Sequence, residues 1–223
     1  MKLHELILPP SCIFCGKVTE RQEPCEDCLK QATELTATVC RRCGAYPEDC
    51  GCLNKIFAFT RNVACFIYDK SPRNLLLRYK MRYKPQLAVF MARRMFYHIQ
   101  ARLGSDFSCV VYVPQSYRNR LKRRFNPNKE LAERVASHLG VDCSCPLKRV
   151  RSTPQKYVQS GERWANARAS YALRRKAAVS GRVLLIDDLF TTGATLNACA
   201  ELLREAGAEE VVCATFAIDV KKS

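Results

Sequence analysis

The segment Val183-Leu184-Leu185-Ile186-Asp187-Asp188-Leu189-Phe190-Thr191-Thr192-Gly193-Ala194-Thr195 constrains the fold more than any other part of this chain. Four consecutive apolar residues read as a strand buried on both faces, which is the pattern of a parallel sheet. Two carboxylates stand at its end. A turn of hydroxyl residues around one glycine then opens a helix over residues 194–206, with Gly207 as its stop. The fold class is therefore α/β, a parallel sheet flanked by helices.

Strand, tight turn and helix together offer backbone N–H groups to an anion. Thr191, Thr192 and Thr195 add hydroxyl donors, and Gly193 has no Cβ to hold a ligand off. Asp187 and Asp188 can accept hydrogen bonds from neighbouring sugar hydroxyls. This stretch resembles the phosphoribosyl-pyrophosphate (PRPP) motif of type I phosphoribosyltransferases, with the same apolar run, paired acids and Thr-Gly-x-Thr loop. The resemblance implies that Thr191, Thr192, Gly193, Ala194 and Thr195 hold the ribose 5-phosphate. Asp187 and Asp188 would hold the 2- and 3-hydroxyls, stand as the catalytic candidates, and work with Mg²⁺ bound to PRPP.

Eight of the fourteen cysteines fall in one short N-terminal stretch as Cys12-x-x-Cys15, Cys25-x-x-Cys28, Cys40-x-x-Cys43 and Cys50-x-Cys52. Each Cys-x-x-Cys turn sets two sulfurs on one side of a knuckle, and two such pairs complete a tetrahedral zinc site. Two structural zinc ions are expected. The simplest sets are Cys12, Cys15, Cys25 and Cys28, then Cys40, Cys43, Cys50 and Cys52, with interleaved pairing also open. With every position filled by protein, such a site has no open place for an activated water. Residues 3–8 are too short an apolar run for a signal peptide, and no stretch has the length of a membrane span, so a cytoplasmic protein without membrane insertion is expected. In that compartment, clustered cysteines read as metal ligands rather than disulfides.

Charge is unevenly placed. Residues 61–182 carry 27 Lys/Arg against 6 Asp/Glu, while residues 1–60 and 183–223 carry small acidic excesses. Such a basic middle favours phosphate-rich partners. Strands are expected at 62–68 and 109–113, helices at 87–103 and 161–169, a further strand within 141–150 and a closing strand at 209–218. After the strand at 109–113 comes a cationic cluster, Arg118, Arg120, Lys122, Arg123 and Arg124, where α/β sheets place ligand loops. It is positioned to meet a leaving pyrophosphate or a nucleic-acid backbone. Asn126 and Pro127 make a cap and first residue for the following helix, which Gly140 ends.

Taken end to end, the chain is similar to the ComF family of bacterial proteins linked to natural competence. Four features carry the resemblance in order: the eight-cysteine double zinc ribbon, the Arg78-Tyr79-Lys80-Met81-Arg82-Tyr83-Lys84 segment, the block from Pro114 to Asn126, and the PRPP motif. Thr153-Pro154-Gln155, Arg163 and Asn166 also match. The family block usually reads Arg-Gly-Phe-Asn-Gln, where this chain has Arg123-Arg124-Phe125-Asn126-Pro127. The resemblance implies a double zinc ribbon over residues 1–57 and a phosphoribosyltransferase-like domain over 58–223. It also implies binding of PRPP and single-stranded DNA in DNA uptake for natural transformation, alongside other DNA-uptake proteins. Aromatic residues among the cations, Tyr79, Tyr83, Tyr117 and Phe125, are candidates to stack on bases. The alternative function is an active phosphoribosyltransferase that passes ribose 5-phosphate from PRPP to an unidentified acceptor.

Overall fold

The apolar run at 183–186 forms the middle strand of a parallel sheet. The computed structural model describes residues 9–36, 39–52, 55–81, 84–115, 125–150 and 160–220. Its elements in chain order are α1 (Glu26–Lys30), a 3-10 turn (Pro47–Asp49), β1 (Arg61–Ile67), α2 (Lys70–Met81), α3 (Pro85–Leu103), β2 (Cys109–Tyr112), α4 (Pro127–Leu139), β3 (Cys143–Ser144), β4 (Leu147–Arg149), α5 (Ser160–Ala169), β5 (Tyr171–Leu173), β6 (Arg182–Phe190), α6 (Ala194–Glu205) and β7 (Glu210–Ile218).

Five strands pair in the order β1-β7-β6-β2-β3, every pair parallel. Strand alternation sends Leu184 and Ile186 to one core, with α3 and α4, and Val183 and Leu185 to the other, with α6. Strand β6 runs on to Phe190 instead of stopping at Ile186. The equally long β7 gives it partners to the end, Asp187 opposite Thr215 and Phe190 opposite Ile218. Both acids therefore lie inside a strand, on a rigid frame. The strand expected within 141–150 is two: β3 joins the main sheet beside β2, whereas β4 pairs antiparallel with β5. Pro146 sits between them, where a residue without an N–H ends one ladder before the next begins.

The cysteine-rich segment wraps the β1 edge. Leu35 donates its N–H to Cys65 O at 2.8 Å, Glu34 bridges Phe66 in antiparallel sense, and Asn62 donates to Arg42 O at 2.9 Å. These contacts cover strand groups that would otherwise invite another chain. Cys12, Ile13, Phe14 and Cys28 enter the α3–α4 core, while Leu35, Cys43, Ala45 and Cys52 enter the α6 core. The two halves of the ribbon thus clasp opposite faces of one sheet.

Candidate functional site

The eight sulfurs gather in sequential sets, Cys12, Cys15, Cys25 and Cys28, then Cys40, Cys43, Cys50 and Cys52, each with its ligand atoms within 4.8 Å of one another. Sγ of Cys15 and Cys25 lie 4.0 Å apart and those of Cys43 and Cys50 3.7 Å apart. Zn–S bonds of about 2.3 Å at tetrahedral angles put sulfurs roughly 3.8 Å apart, so both sets fit structural zinc. Backbone N–H groups of Cys15 and Cys25 point at Cys12 Sγ, at 3.5 and 3.3 Å. Against the effect of burial, these bonds bring the Cys12 thiol down to about 6, while burial pushes Cys28 up to about 12. Neighbouring thiols cannot all ionise unaided; a divalent cation is what holds four thiolates together.

Each knuckle is tied to the sheet domain by one side chain. Arg78 donates to Cys12 O and Ile13 O at 3.1 and 2.7 Å, and its guanidinium fills the space where a Cβ on Gly16 would stand. Asn62 donates to Cys43 O at 2.7 Å, with the β1 backbone against Gly44. Both glycines have positive φ, 84° and 83°, so the knuckle turn and its docking surface demand the same residue.

The second candidate site lies at the carboxyl end of the sheet. Asp187 Oδ1 accepts from Asn128 Nδ2 at 2.8 Å and from the Asp188 N–H at 2.9 Å. Asn128 also donates to Val113 O, fixing the first turn of α4 to the end of β2. Burial, reinforced by the charge of Asp188, pushes the Asp187 carboxyl up to about 7 against the opposing pull of Lys80. Lys80 Nζ meets Asp188 Oδ2 at 2.8 Å, with both side chains largely buried. Lys80 reaches this point because Tyr79, next to it on α2, is locked in the core: its ring is 0% exposed and its hydroxyl donates to Pro127 O at 2.8 Å.

Beyond β6, Gly193 turns the chain at φ 81° and Ala194 opens α6. The first N–H groups of a helix lack intrahelical partners, which makes this end a fit for an anion. Thr192 Oγ1 accepts weakly from Ala194 N at 3.4 Å, and the Thr195 side chain hydrogen-bonds Tyr171. A Cβ at Gly193 would come within 2.7 Å of the Phe57 ring and 2.9 Å of the Phe190 ring. The fold thus brings Asp187, Asp188, Thr191, Thr192, Gly193, Ala194 and Thr195 to one sheet end.

The cluster Arg118, Arg120, Lys122, Arg123 and Arg124 lies outside the described residues, as do Arg82, Tyr83, Tyr117 and Thr153-Pro154-Gln155. The ends of that cluster meet where Gln115 Nε2 donates to Phe125 O at 2.8 Å. Tyr79 is not a stacking surface: it belongs to the core, with Phe125 edge-on at 6.0 Å between centroids. Lys80 and Asn128 are site residues that sequence reasoning did not single out. Lys80 stood among many cations, and Asn128 looked like an ordinary first-turn residue of a capped helix.

Comparison with known proteins agrees with both halves of this description. A double zinc ribbon domain model matches residues 3–58, and a phosphoribosyl transferase domain model matches residues 130–223. Competence protein ComFC of Streptococcus pneumoniae is 27% identical over 202 residues, covering 90% of this chain and 84% of that protein. Competence protein F of Haemophilus influenzae is 26% identical over 200 residues, covering 84% and 86%. Among solved structures, adenine phosphoribosyltransferase of Saccharomyces cerevisiae is 16% identical with a TM-score of 0.40, covering 61% of this chain and 70% of its own.

Proposed function

The chain belongs to the ComF family, a double zinc ribbon followed by a phosphoribosyl transferase domain, and on that premise we propose that it binds PRPP and single-stranded DNA in DNA uptake for natural transformation. Its relatives, which cover most of this chain, are competence proteins. The observation that carries PRPP binding is the sequence of groups along one strand end: paired carboxylates, Lys80 at 2.8 Å from one of them, then a glycine turn opening a helix. Asp187 and Asp188 receive the ribose hydroxyls, and residues 191–195 receive the 5-phosphate. Mg²⁺ arrives with PRPP, held by its pyrophosphate oxygens near these acids, and supplies charge neutralisation there.

Calorimetric titration of PRPP with Mg²⁺ into the wild type and Asp188→Ala tests the reading. Binding to the wild type and a loss of tenfold or more in the variant are expected, whereas equal affinity would remove the carboxylates from the site. DNA binding rests on the cationic middle of the chain, where the Arg118–Arg124 cluster lies. Affinity for an oligonucleotide is expected to fall steeply with salt. A salt-independent interaction, or none, would end that part of the proposal.

One observation favours the second reading, an active phosphoribosyltransferase. The Asp187 carboxyl, raised to about 7 by burial and by Asp188, titrates where a group can exchange protons during turnover. Release of pyrophosphate from PRPP that depends on one particular acceptor, and is lost in Asp187→Asn, would establish it.

A further inference from the structure

Between the second half of the ribbon and the turn after β6 lies a cavity of about 380 Å³. One wall is transferase loop, Thr191 and Thr192; the facing wall is ribbon, with Cys43, Cys50 and Cys52. Three aromatic side chains line it. Phe57 lies 5.5 Å from Trp164 between ring centres, and both Phe57 and Phe190 press on Gly193. Phe59 backs this group, 4.6 Å from Phe57 and 6.5 Å from Phe190. The remaining polar lining is lopsided: Glu48, Asp49 and Asp219 against Lys55 alone.

We infer that this cavity binds the ring of a nucleobase whose sugar phosphate lies on the adjoining 191–195 turn. Flat apolar walls at stacking distance suit a planar heterocycle. The acidic lining repels phosphate, so an anionic group is held outside, at the helix end, while the ring enters. Carboxylates are acceptors only, which favours rings that carry amino donors, adenine and cytosine over thymine. The space exceeds a single base and leaves room for water at the acidic side. The ribbon then does more than fold: its second metal knuckle forms part of the ligand wall. The inference builds on the proposed role of residues 191–195 as the sugar-phosphate turn. The ring could belong to a free nucleotide or to a base of a DNA strand.

Trp164 is the single tryptophan of the chain and lies in the cavity wall, so its fluorescence reports this site alone. The zinc-loaded protein, excited at the red edge of tryptophan absorption, is titrated with AMP, dCMP, dTMP, ribose 5-phosphate and a short oligonucleotide. Calorimetry with PRPP runs in parallel. Quenching by AMP and dCMP, weaker quenching by dTMP and none by ribose 5-phosphate is the expected result. Phe57→Leu should weaken nucleotide binding about tenfold, in line with the typical energy of one base–aromatic stack. Asp49→Asn, on the less buried lining, should narrow the preference for dCMP over dTMP without altering the fold. Quenching by the oligonucleotide alone would identify a strand base as the occupant; quenching by mononucleotides would identify the free nucleotide. If PRPP binds but no base-bearing ligand quenches Trp164, the ring site is overturned and the PRPP reading stands. If bases quench but PRPP does not bind, the ring site stands and the sugar-phosphate reading falls.

Discussion

Asp187 is an expensive residue for the fold. Its carboxyl is buried beside a second carboxylate and is raised to about 7 from an ordinary value near 4. Between those two values the folded chain binds a proton that the unfolded chain has released, so stability falls as pH rises through that window. Asp187→Asn removes the penalty while keeping an oxygen for Asn128 and for the Asp188 N–H. The variant should be more stable than wild type at pH 8, on the order of 1–3 kcal/mol, and gain less at pH 5. Thermal unfolding at the two pH values checks this, and an equal effect at both would contradict it. PRPP affinity should behave oppositely, rising with pH through neutrality as the carboxylate forms. Lys80 is one of the groups holding Asp187 down, so Lys80→Met should move that affinity profile to higher pH. Other cations of the basic middle have structural duties. Arg78 binds ribbon carbonyls, Arg94 pairs with Glu34 at 2.9 Å, Arg102 donates to Leu35 O and Ala64 O, and Arg182 pairs with Glu210 at 2.7 Å. Charge counting alone could not separate these stitches from ligand contacts, because both use the same side chains.

At the scale of elements, local signals were the most legible. Asn126 caps α4 by accepting from Lys129 N at 3.2 Å, Pro127 takes the first helical position, and Gly140 closes the helix in the left-handed region. Each of those roles is set within a few residues, so sequence suffices. Asn126→Ala should cost about 1 kcal/mol, read from denaturant unfolding, with PRPP affinity little changed. The turn after β6 was legible for the same reason, and a sharper outcome is expected there. Gly193→Ala puts a Cβ into the Phe57 and Phe190 rings at positive φ, so it should destabilise by more than about 1 kcal/mol and abolish PRPP binding. Phe57 itself was not legible as a site residue: it lies in the stretch that joins ribbon to sheet, and only the fold carries it to Gly193. Strand order was hidden likewise. Nothing near Arg61 announces that β1 pairs with β7, because that pairing is decided by how long crossovers pack their helices on the sheet.

At the scale of the whole molecule, the metal sites and the PRPP site are mechanically joined. A cysteine module this small lacks a core of its own and depends on metal to fold. Here its apolar residues are built into both cores of the sheet domain, so losing the metal should not simply fray one end. The path from the first site is short: Cys12 and Ile13 carbonyls hold Arg78, two residues before Lys80 on α2, and Lys80 meets Asp188. Cys15→Ser should therefore weaken PRPP binding although Cys15 touches no part of that site. Cys50→Ser, on the opposite face, should instead disturb the cavity beside Thr191 and Thr192. Strong chelation should lower the melting temperature of the entire chain in a single transition, by more than the several degrees that about 1 kcal/mol moves a domain of this size, and readdition of zinc should restore it. Two separate transitions, with the later one at the untreated temperature, would mean that the ribbon melts alone. In that event the clasp seen across both sheet faces contributes little to the fold, and the coupling between Cys15 and PRPP should vanish with it.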